Sequence, residues 1–310
     1  MATYRILSLD GGGIRGIVSV VLLQRLEAEP GLRRWLGRTR LVAGTSTGGL
    51  IALGLASGVG LATLRDLYET RGRAIFDDSW LDDLRDLGRI AGAEYDSDHL
   101  ARELRRIFGT ATLGDLRKRV LVPAFDLDNA ARLASRRTWK PKLFHNFPGP
   151  DSDASALAWK VGLYTSAAPT YFPSVDGYID GGVFANNPSL CALTQSLDRR
   201  TRGRRAALDD VVLLSIGTGT SLVYIEGQRH DWGYARWAKP LVSLILDGVT
   251  GIADYQCRQL LGARYHRLAP VFPPGTSVPL DAVARVPEMV SFAESVDLGP
   301  TVEFLRRHWA

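Results

Sequence analysis

Residues 41–50 read LVAGTSTGGL, a short apolar run that meets a G-x-S-x-G motif and then continues as a second apolar segment. This order predicts a buried strand, a sharp turn and a helix, with Ser46 at the turn. Gly44 and Gly48 remove side chains that would obstruct the turn or an approaching substrate. The first turn of the helix would direct unpaired N–H groups and the positive end of its dipole toward Ser46. The stretch therefore indicates an α/β fold with a serine nucleophile, although a turn of small residues without chemistry also fits G-x-S-x-G alone.

A second glycine-rich loop, DGGGIRG at residues 10–16, follows a strand-like segment and precedes an apolar segment of helical periodicity. Gly11, Gly12 and Gly13 carry no β-carbon, so their backbone N–H groups can converge on one small anion. The loop therefore predicts an oxyanion hole, the set of donors that stabilises the negative charge formed during acyl transfer.

The same loop also satisfies G-x-G-x-x-G, the fingerprint of dinucleotide-binding proteins, through Gly11, Gly13 and Gly16. That fingerprint expects an acidic residue about 20 residues further on, at the end of a second strand. Glu27 and Glu29 instead fall inside the predicted helix, and the next strand leads to the serine turn. A dinucleotide-dependent enzyme is therefore the weaker interpretation of this loop.

A third stretch, YIDGGVFANNP at residues 178–188, places Asp180 at the end of a short apolar strand and before two glycines. Backbone N–H groups could hold the Asp180 carboxylate there while another group approaches closely. D-G-G by itself is also typical of a hairpin or loop turn. Asp180 becomes a candidate general base because the two other glycine motifs accompany it.

The composition is that of a globular protein, with 45% hydrophobic and 23% charged residues among 310. No linker or repeat divides the chain, so we expect a single domain over residues 1–310. No run of 18 apolar residues and no leader sequence is present, which predicts a soluble, cytoplasmic protein. Cys191 and Cys257 form no metal-binding spacing, and Asp126 and Asp128 are better explained as a turn after a strand, so no metal site is expected.

The net charge of +5 is compatible with an anionic partner, but the basic residues are scattered along the sequence and form no local motif. We therefore expect no DNA or RNA polymer as a partner. Residues 119–126 are typical of a buried strand, and a second strand-like stretch lies near Leu133.

The three motifs together, GGGIRG at 11–16, GTSTGG at 44–49 and DGG at 180–182, resemble the patatin-like phospholipase family in sequence and in order. The resemblance implies a three-layer α/β/α sandwich with a mainly parallel central sheet, and a Ser-Asp dyad in place of a Ser-His-Asp triad. By motif position Ser46 would be the nucleophile and Asp180 the base. The N–H groups of Gly11, Gly12 and Gly13 would form the oxyanion hole.

Arg15 lies inside the same glycine loop, where it could pair with a lipid phosphate or order the loop through a salt bridge. No cofactor is implied by the family resemblance. A histidine triad is the mechanistic alternative, because His266 and His308 both follow Asp180 in the chain. His266 stands in a strand-like run and His308 in an arginine-rich helix, which favours a structural role for each.

The sequence thus predicts a lipid acyl hydrolase of the phospholipase A type that acts peripherally at the phospholipid membrane surface. A patatin-like binding module with a vestigial dyad is the alternative outside enzymology, and the intact motifs argue against it. Some bacterial members of this family are effectors that cyclic oligonucleotides switch on in antiphage defence. If such an activator controls this protein, the protein needs a site for an anion. Binding of the activator would favour an open or homo-oligomeric state and could move a cover formed by residues 74–95.

Overall fold

The computed structural model describes residues 3–72, 97–203, 205–227 and 229–309. Within these ranges one sheet has the strand order β4-β3-β2-β1-β6-β7, with β5 paired to β3. Five strands run parallel to one another: β1, β2, β3, β6 and β7. The other two, β4 and β5, run antiparallel to β3. The strands are β1 (Tyr4–Leu9), β2 (Leu41–Gly44), β3 (Arg119–Asp126), β4 (Lys140–His145), β5 (Tyr178–Asp180), β6 (Val211–Ile216) and β7 (Tyr265–Leu268).

The connections between the strands carry helices, as the alternation of strand-like and helix-like segments predicts. The helices are α1 (Gly16–Ala28), α2 (Trp35–Arg38), α3 (Thr47–Ser57), α4 (Leu61–Glu69), α5 (Asp98–Phe108), α6 (Ala158–Ser166), α7 (Gly182–Ala185), α8 (Ser189–Ser196), α9 (Tyr234–Leu261), α10 (Val286–Ser295) and α11 (Gly299–His308).

The central strands are buried on both faces because their apolar side chains alternate between two cores. In β6, Val212 and Leu214 join one core, to which α1 and α3 contribute, while Val211 and Leu213 join the other. The second core takes Leu193 from α8 and residues from α9. Helices therefore cover both faces of a mainly parallel sheet, which confirms the predicted α/β/α architecture.

The short strand β5 lies in line with β2, along the same edge of β3. β2 pairs with residues 119–121 of β3, whereas β4 pairs with residues 121–126 and β5 with residues 124–126. A strand has two edges, and β4 occupies one of them over this length, so β5 must use the edge that β2 leaves free. β5 consequently ends at Asp180 close to the point where the chain leaves β2 toward Ser46.

One expectation from the sequence is wrong, and another falls on residues that the structure does not describe. The strand predicted near Leu133 is wrong, since a short 3₁₀ turn over Ala134–Arg136 follows that residue. Residues 74–95, predicted as a cover, lie outside the described residues. No helix among those described is both long enough and apolar enough to cross a bilayer.

Candidate active site

Ser46 occupies the turn between β2 and α3 in a conformation that non-glycine residues rarely adopt. Its backbone angles are φ 54° and ψ −126°, a strained combination typical of a nucleophile elbow. The turn is tight, because a β-carbon on Gly44 would lie 2.0 Å from the Gly48 carbonyl oxygen. The Thr165 hydroxyl accepts the Ser46 N–H at 2.8 Å and donates to the Pro123 carbonyl at 2.6 Å. The strained turn is thereby tied to α6 and β3.

Asp180 lies beside this turn, with 6% of its surface exposed. The Ser46 side chain hydrogen-bonds to its carboxylate, and the Gly182 N–H donates to Oδ1 at 2.7 Å. Burial raises the pKa of Asp180 to about 6, while the two hydrogen bonds oppose that rise. A carboxylate with this pKa is ionised at neutral pH and is a stronger base than an exposed aspartate.

The glycine loop between β1 and α1 forms the opposite side of the site. Gly11 N–H donates to the Asn186 carbonyl at 3.0 Å, so this donor is occupied. Gly12 and Gly13 N–H donate to no residue in the described part of the chain. A β-carbon on Gly13, at φ +56°, would lie 2.2 Å from the Leu280 carbonyl oxygen. Of the three predicted oxyanion-hole glycines, only Gly12 and Gly13 therefore have a backbone N–H group available to a substrate oxygen.

A buried ion pair anchors the start of this loop. The Asp10 carboxylate receives Arg267 Nη2 at 2.5 Å and Nη1 at 3.1 Å, and Arg267 Nη1 also donates to Ser215 Oγ at 2.6 Å. The Thr218 hydroxyl donates to the Gly11 carbonyl at 3.0 Å. Sequence reasoning missed this ion pair, since 257 positions separate Asp10 from Arg267 and no motif marks Arg267.

Arg15 lies half-buried at the rim of the same site. Its Nε donates to the Gly12 carbonyl at 3.4 Å, and no carboxylate of the described residues forms an ion pair with it. Burial lowers the pKa of the Arg15 guanidinium, although the Asp247 carboxylate opposes that effect. The salt bridge that could have ordered the loop is therefore absent from the described residues, and the Arg15 charge faces the cleft.

One cleft of about 240 Å³ contains Ser46, Asp180 and the glycine loop. Apart from these groups its walls are largely apolar, which favours a hydrocarbon chain over a polar substrate. The apolar wall includes Ile14, Leu50, Leu67, Leu100, Tyr171, Phe172, Val183, Ile245, Leu246 and Leu280.

The five histidines all fall within the described ranges, and none of them lines this cleft. His266 Nε2 lies 2.8 Å from the Thr301 hydroxyl, and its ring stacks on Phe304 at 5.2 Å. His308 also packs against Phe304, on α11. Among the described residues, no group of three or more metal-binding side chains is clustered.

A search against protein-family models matches residues 7–193 to the family described as patatin-like phospholipase. The chain belongs to this family. Membership confirms the resemblance inferred from the three motifs and, with phospholipases among the relatives, identifies the protein as a hydrolase of lipid ester bonds.

Two relatives and one solved structure are similar to this chain. The cGAMP-activated phospholipase of Pseudomonas aeruginosa is 33% identical over 291 residues, covering 92% of this chain and 83% of that protein. The 85/88 kDa calcium-independent phospholipase A2 of Rattus norvegicus is 29% identical over 323 residues, covering 90% of this chain and 37% of that protein. The structure of VipD from Legionella pneumophila matches with a TM-score of 0.46 at 14% identity, covering 99% of this chain and 67% of that chain.

Proposed function

We propose that this patatin-like protein is a phospholipase A-type acyl hydrolase in which Ser46 is the nucleophile and Asp180 the base. The observation that carries the proposal is that the strained Ser46 and the buried Asp180 lie together in one apolar cleft, where the Ser46 side chain lowers the pKa of Asp180 by hydrogen bonding. A carboxylate in direct contact with the serine needs no intervening histidine to remove its proton. The apolar walls would hold the acyl chain.

In the first half of the reaction, Asp180 takes the hydroxyl proton as Ser46 Oγ attacks the ester carbonyl carbon. The carbonyl oxygen becomes an oxyanion that the N–H groups of Gly12 and Gly13 stabilise, with support from the N-terminus of α3. When the carbon–oxygen bond to the lysophospholipid breaks, Asp180 returns the proton to the leaving alcohol. The acyl group remains as an ester on Ser46.

In the second half, Asp180 removes a proton from a water molecule that attacks the acyl-serine. The resulting oxyanion occupies the same donors, and its collapse releases the fatty acid as Ser46 recovers its proton from Asp180. A pKa of about 6 suits this cycle, because Asp180 must both accept and release a proton near neutral pH.

The protein would act at the membrane surface through apolar residues near the mouth of the cleft. Helix α9 supplies Ile245 to the cleft wall and also exposes Leu241 and Leu244, which are 48% and 46% accessible. Such exposed aliphatic side chains favour insertion at a lipid interface. Arg15, whose charge faces the cleft, would pair with the phosphate of the substrate headgroup.

We further propose that residues 1–310 act as one domain whose hydrolase activity a cyclic oligonucleotide increases. The support is the 33% identity of this chain to the cGAMP-activated phospholipase of Pseudomonas aeruginosa. Activation would favour an open or homo-oligomeric state and would fit a role in antiphage defence.

The dyad is tested by labelling the protein with a fluorophosphonate and mapping the modified residue by mass spectrometry. We expect the label on Ser46 and a loss of phospholipid hydrolysis of about 10³-fold or more in Ser46→Ala. Ser291→Ala, at an exposed serine, is the matched control and should retain full activity. Label on another residue, or full activity of Ser46→Ala, would contradict the proposal.

The activator is tested by hydrolysis of a fluorogenic phospholipid in the presence of a panel of cyclic di- and trinucleotides. We expect a low rate for the protein alone and a steep rise with one member of the panel. If no nucleotide of the panel changes the rate of the protein alone, activation by a cyclic oligonucleotide is excluded and the hydrolase proposal stands.

A further inference from the structure

A second cavity, of about 820 Å³, lies at the opposite end of the sheet from the cleft. Arg5 lies near the start of β1, and Arg40 and Arg119 lie at the starts of β2 and β3. Ser46 and the glycine loop follow the ends of β2 and β1, so the length of a strand, roughly 20 Å for six residues, separates the two sites. Seven cationic residues line this basic pocket: Arg5, Arg38, Arg40, Arg117, Lys118, Arg119 and Arg202.

The positive charge of the basic pocket is uncompensated within the described part of the chain. No aspartate or glutamate lines the pocket, and none of its seven cations forms an ion pair with a described residue. Arg5 and Arg38 donate to the carbonyls of His308 and Trp309, each at 2.8 Å. Neutral carbonyls position these side chains but leave their charge in place.

Like charges in the pocket act on one another. Burial lowers the pKa of Arg5, and the neighbouring guanidinium groups of Arg38 and Arg40 lower it further. Lys118, held by the carbonyls of Gly37 and Thr39, also has a pKa lowered by burial. A bound anion would relieve this repulsion.

We propose that the basic pocket binds a small soluble ligand that carries two or more phosphate charges. Its volume falls in the range of about 300–1,000 Å³ that is usual for small-molecule sites. Six of its seven cations are arginines, whose planar forks bind phosphate oxygens in pairs. Tyr4, which is half-buried, lines the same cavity and adds aromatic surface suited to the flat ring of a nucleobase.

Position favours a soluble ligand over a lipid headgroup in the membrane. The exposed apolar residues of α9 lie beside the cleft, at the other end of the sheet. A bilayer that supplies substrate there cannot also reach the basic pocket, because the thickness of the protein separates them. A cyclic dinucleotide has the required phosphates and rings, and its identification as the activator rests on the proposed function.

The pocket is tested by calorimetric titration of the full chain with three cyclic dinucleotides and with pyrophosphate. The cyclic dinucleotide and pyrophosphate arms distinguish a nucleotide from a free oligophosphate as the source of the phosphates. We expect at least one of these ligands to bind, with an affinity that falls as salt increases. Arg40→Glu/Arg202→Glu changes two exposed side chains of the pocket and should weaken binding at least tenfold, by about 1.4 kcal/mol or more. Arg132→Glu/Arg136→Glu makes the same change of net charge outside the pocket and should bind like the wild type.

Two results would overturn the proposal. They are the absence of binding by all four ligands, and binding by Arg40→Glu/Arg202→Glu that is as tight as that of the wild type. If the glutamate variant fails to fold, Arg40→Gln/Arg202→Gln replaces it with the same expectation. Phospholipid hydrolysis by the wild-type protein is measured beside the titration, so that ligand binding without hydrolysis by the wild type would refute the proposed function and leave the pocket intact.

Discussion

The two ends of the central sheet offer different kinds of site. At the carboxyl ends of β1 and β2, backbone N–H groups, a strained serine and a buried carboxylate surround an apolar cleft. At the amino ends of the same strands, cationic side chains surround a polar cavity. The first site depends on backbone geometry and desolvation, whereas the second depends on side-chain charge. The two sites should therefore respond to different perturbations.

Asp180→Asn should have the largest effect on ester hydrolysis in the cleft while it leaves the basic pocket at the other end of the sheet unaffected. The amide keeps the shape of the carboxylate but cannot take the Ser46 proton, so kcat/KM on a short-chain ester should fall about 10³-fold. Ligand binding in the basic pocket should be unchanged. Asp209→Asn, at a residue whose side chain is 97% exposed, is the control. More than a tenth of wild-type activity in Asp180→Asn would remove Asp180 from the mechanism.

The same variant should be more stable than the wild type above neutral pH. The folded-state pKa of Asp180 is raised from 3.8 to about 6, so ionisation costs the native state free energy. That cost is absent below pH 4, appears as pH rises from 4 to 6, and reaches roughly 3 kcal/mol above it. Urea unfolding should therefore show a gain for Asp180→Asn at pH 8 and almost none at pH 4. Equal gains at both values would mean that folding does not raise the pKa of Asp180.

Gly13→Ala should lower kcat about 10²-fold, because its β-carbon would collide with the Leu280 carbonyl and displace the proposed oxyanion donors. Gly31→Ala is the matched control, since Gly31 also has a positive φ but open space around it. That variant should lose about 1 kcal/mol of stability and no activity. Equal rates for both variants would remove the glycine loop from catalysis.

The pH dependence of the two ends provides the finest comparison. With Asp180 as the base, kcat/KM should be constant above pH 6 and fall up to tenfold per unit below it. Binding of a phosphodiester in the basic pocket should not change between pH 5 and 8, because arginine and the phosphodiester keep their charges. If both kcat/KM and the binding affinity of the basic pocket changed near pH 6, the two ends would share a titrating group.

The local parts of the fold could be predicted from the sequence. The strand over residues 119–126 and a helix after the glycine loop are predicted from the sequence and observed as β3 and α1, since hydrophobic periodicity and glycine placement act over a few residues. Leu133 shows the limit of this approach. A strand was expected near this residue, but a strand needs a partner, and the chain turns there instead.

The candidate site was predictable in its residues but not in its hydrogen bonding. Ser46 and Asp180 stand in motifs that can be recognised from glycine spacing alone. The occupied N–H of Gly11 could not be foreseen, because its acceptor, the Asn186 carbonyl, is 175 positions away. The basic pocket was also hidden, since its cations come from separate segments that form no motif.

The sequence by itself determined the family through its three glycine motifs. It also determined the order of the elements and the tight turn at Ser46, because short-range sterics and hydrophobic periodicity control these local features. The tertiary structure alone decided that β5 continues the line of β2 along β3, which brings Asp180 to Ser46. It also gathered scattered cations at the amino ends of the strands. Strand register and charge clustering depend on contacts between distant segments, and such contacts leave no local pattern in the chain.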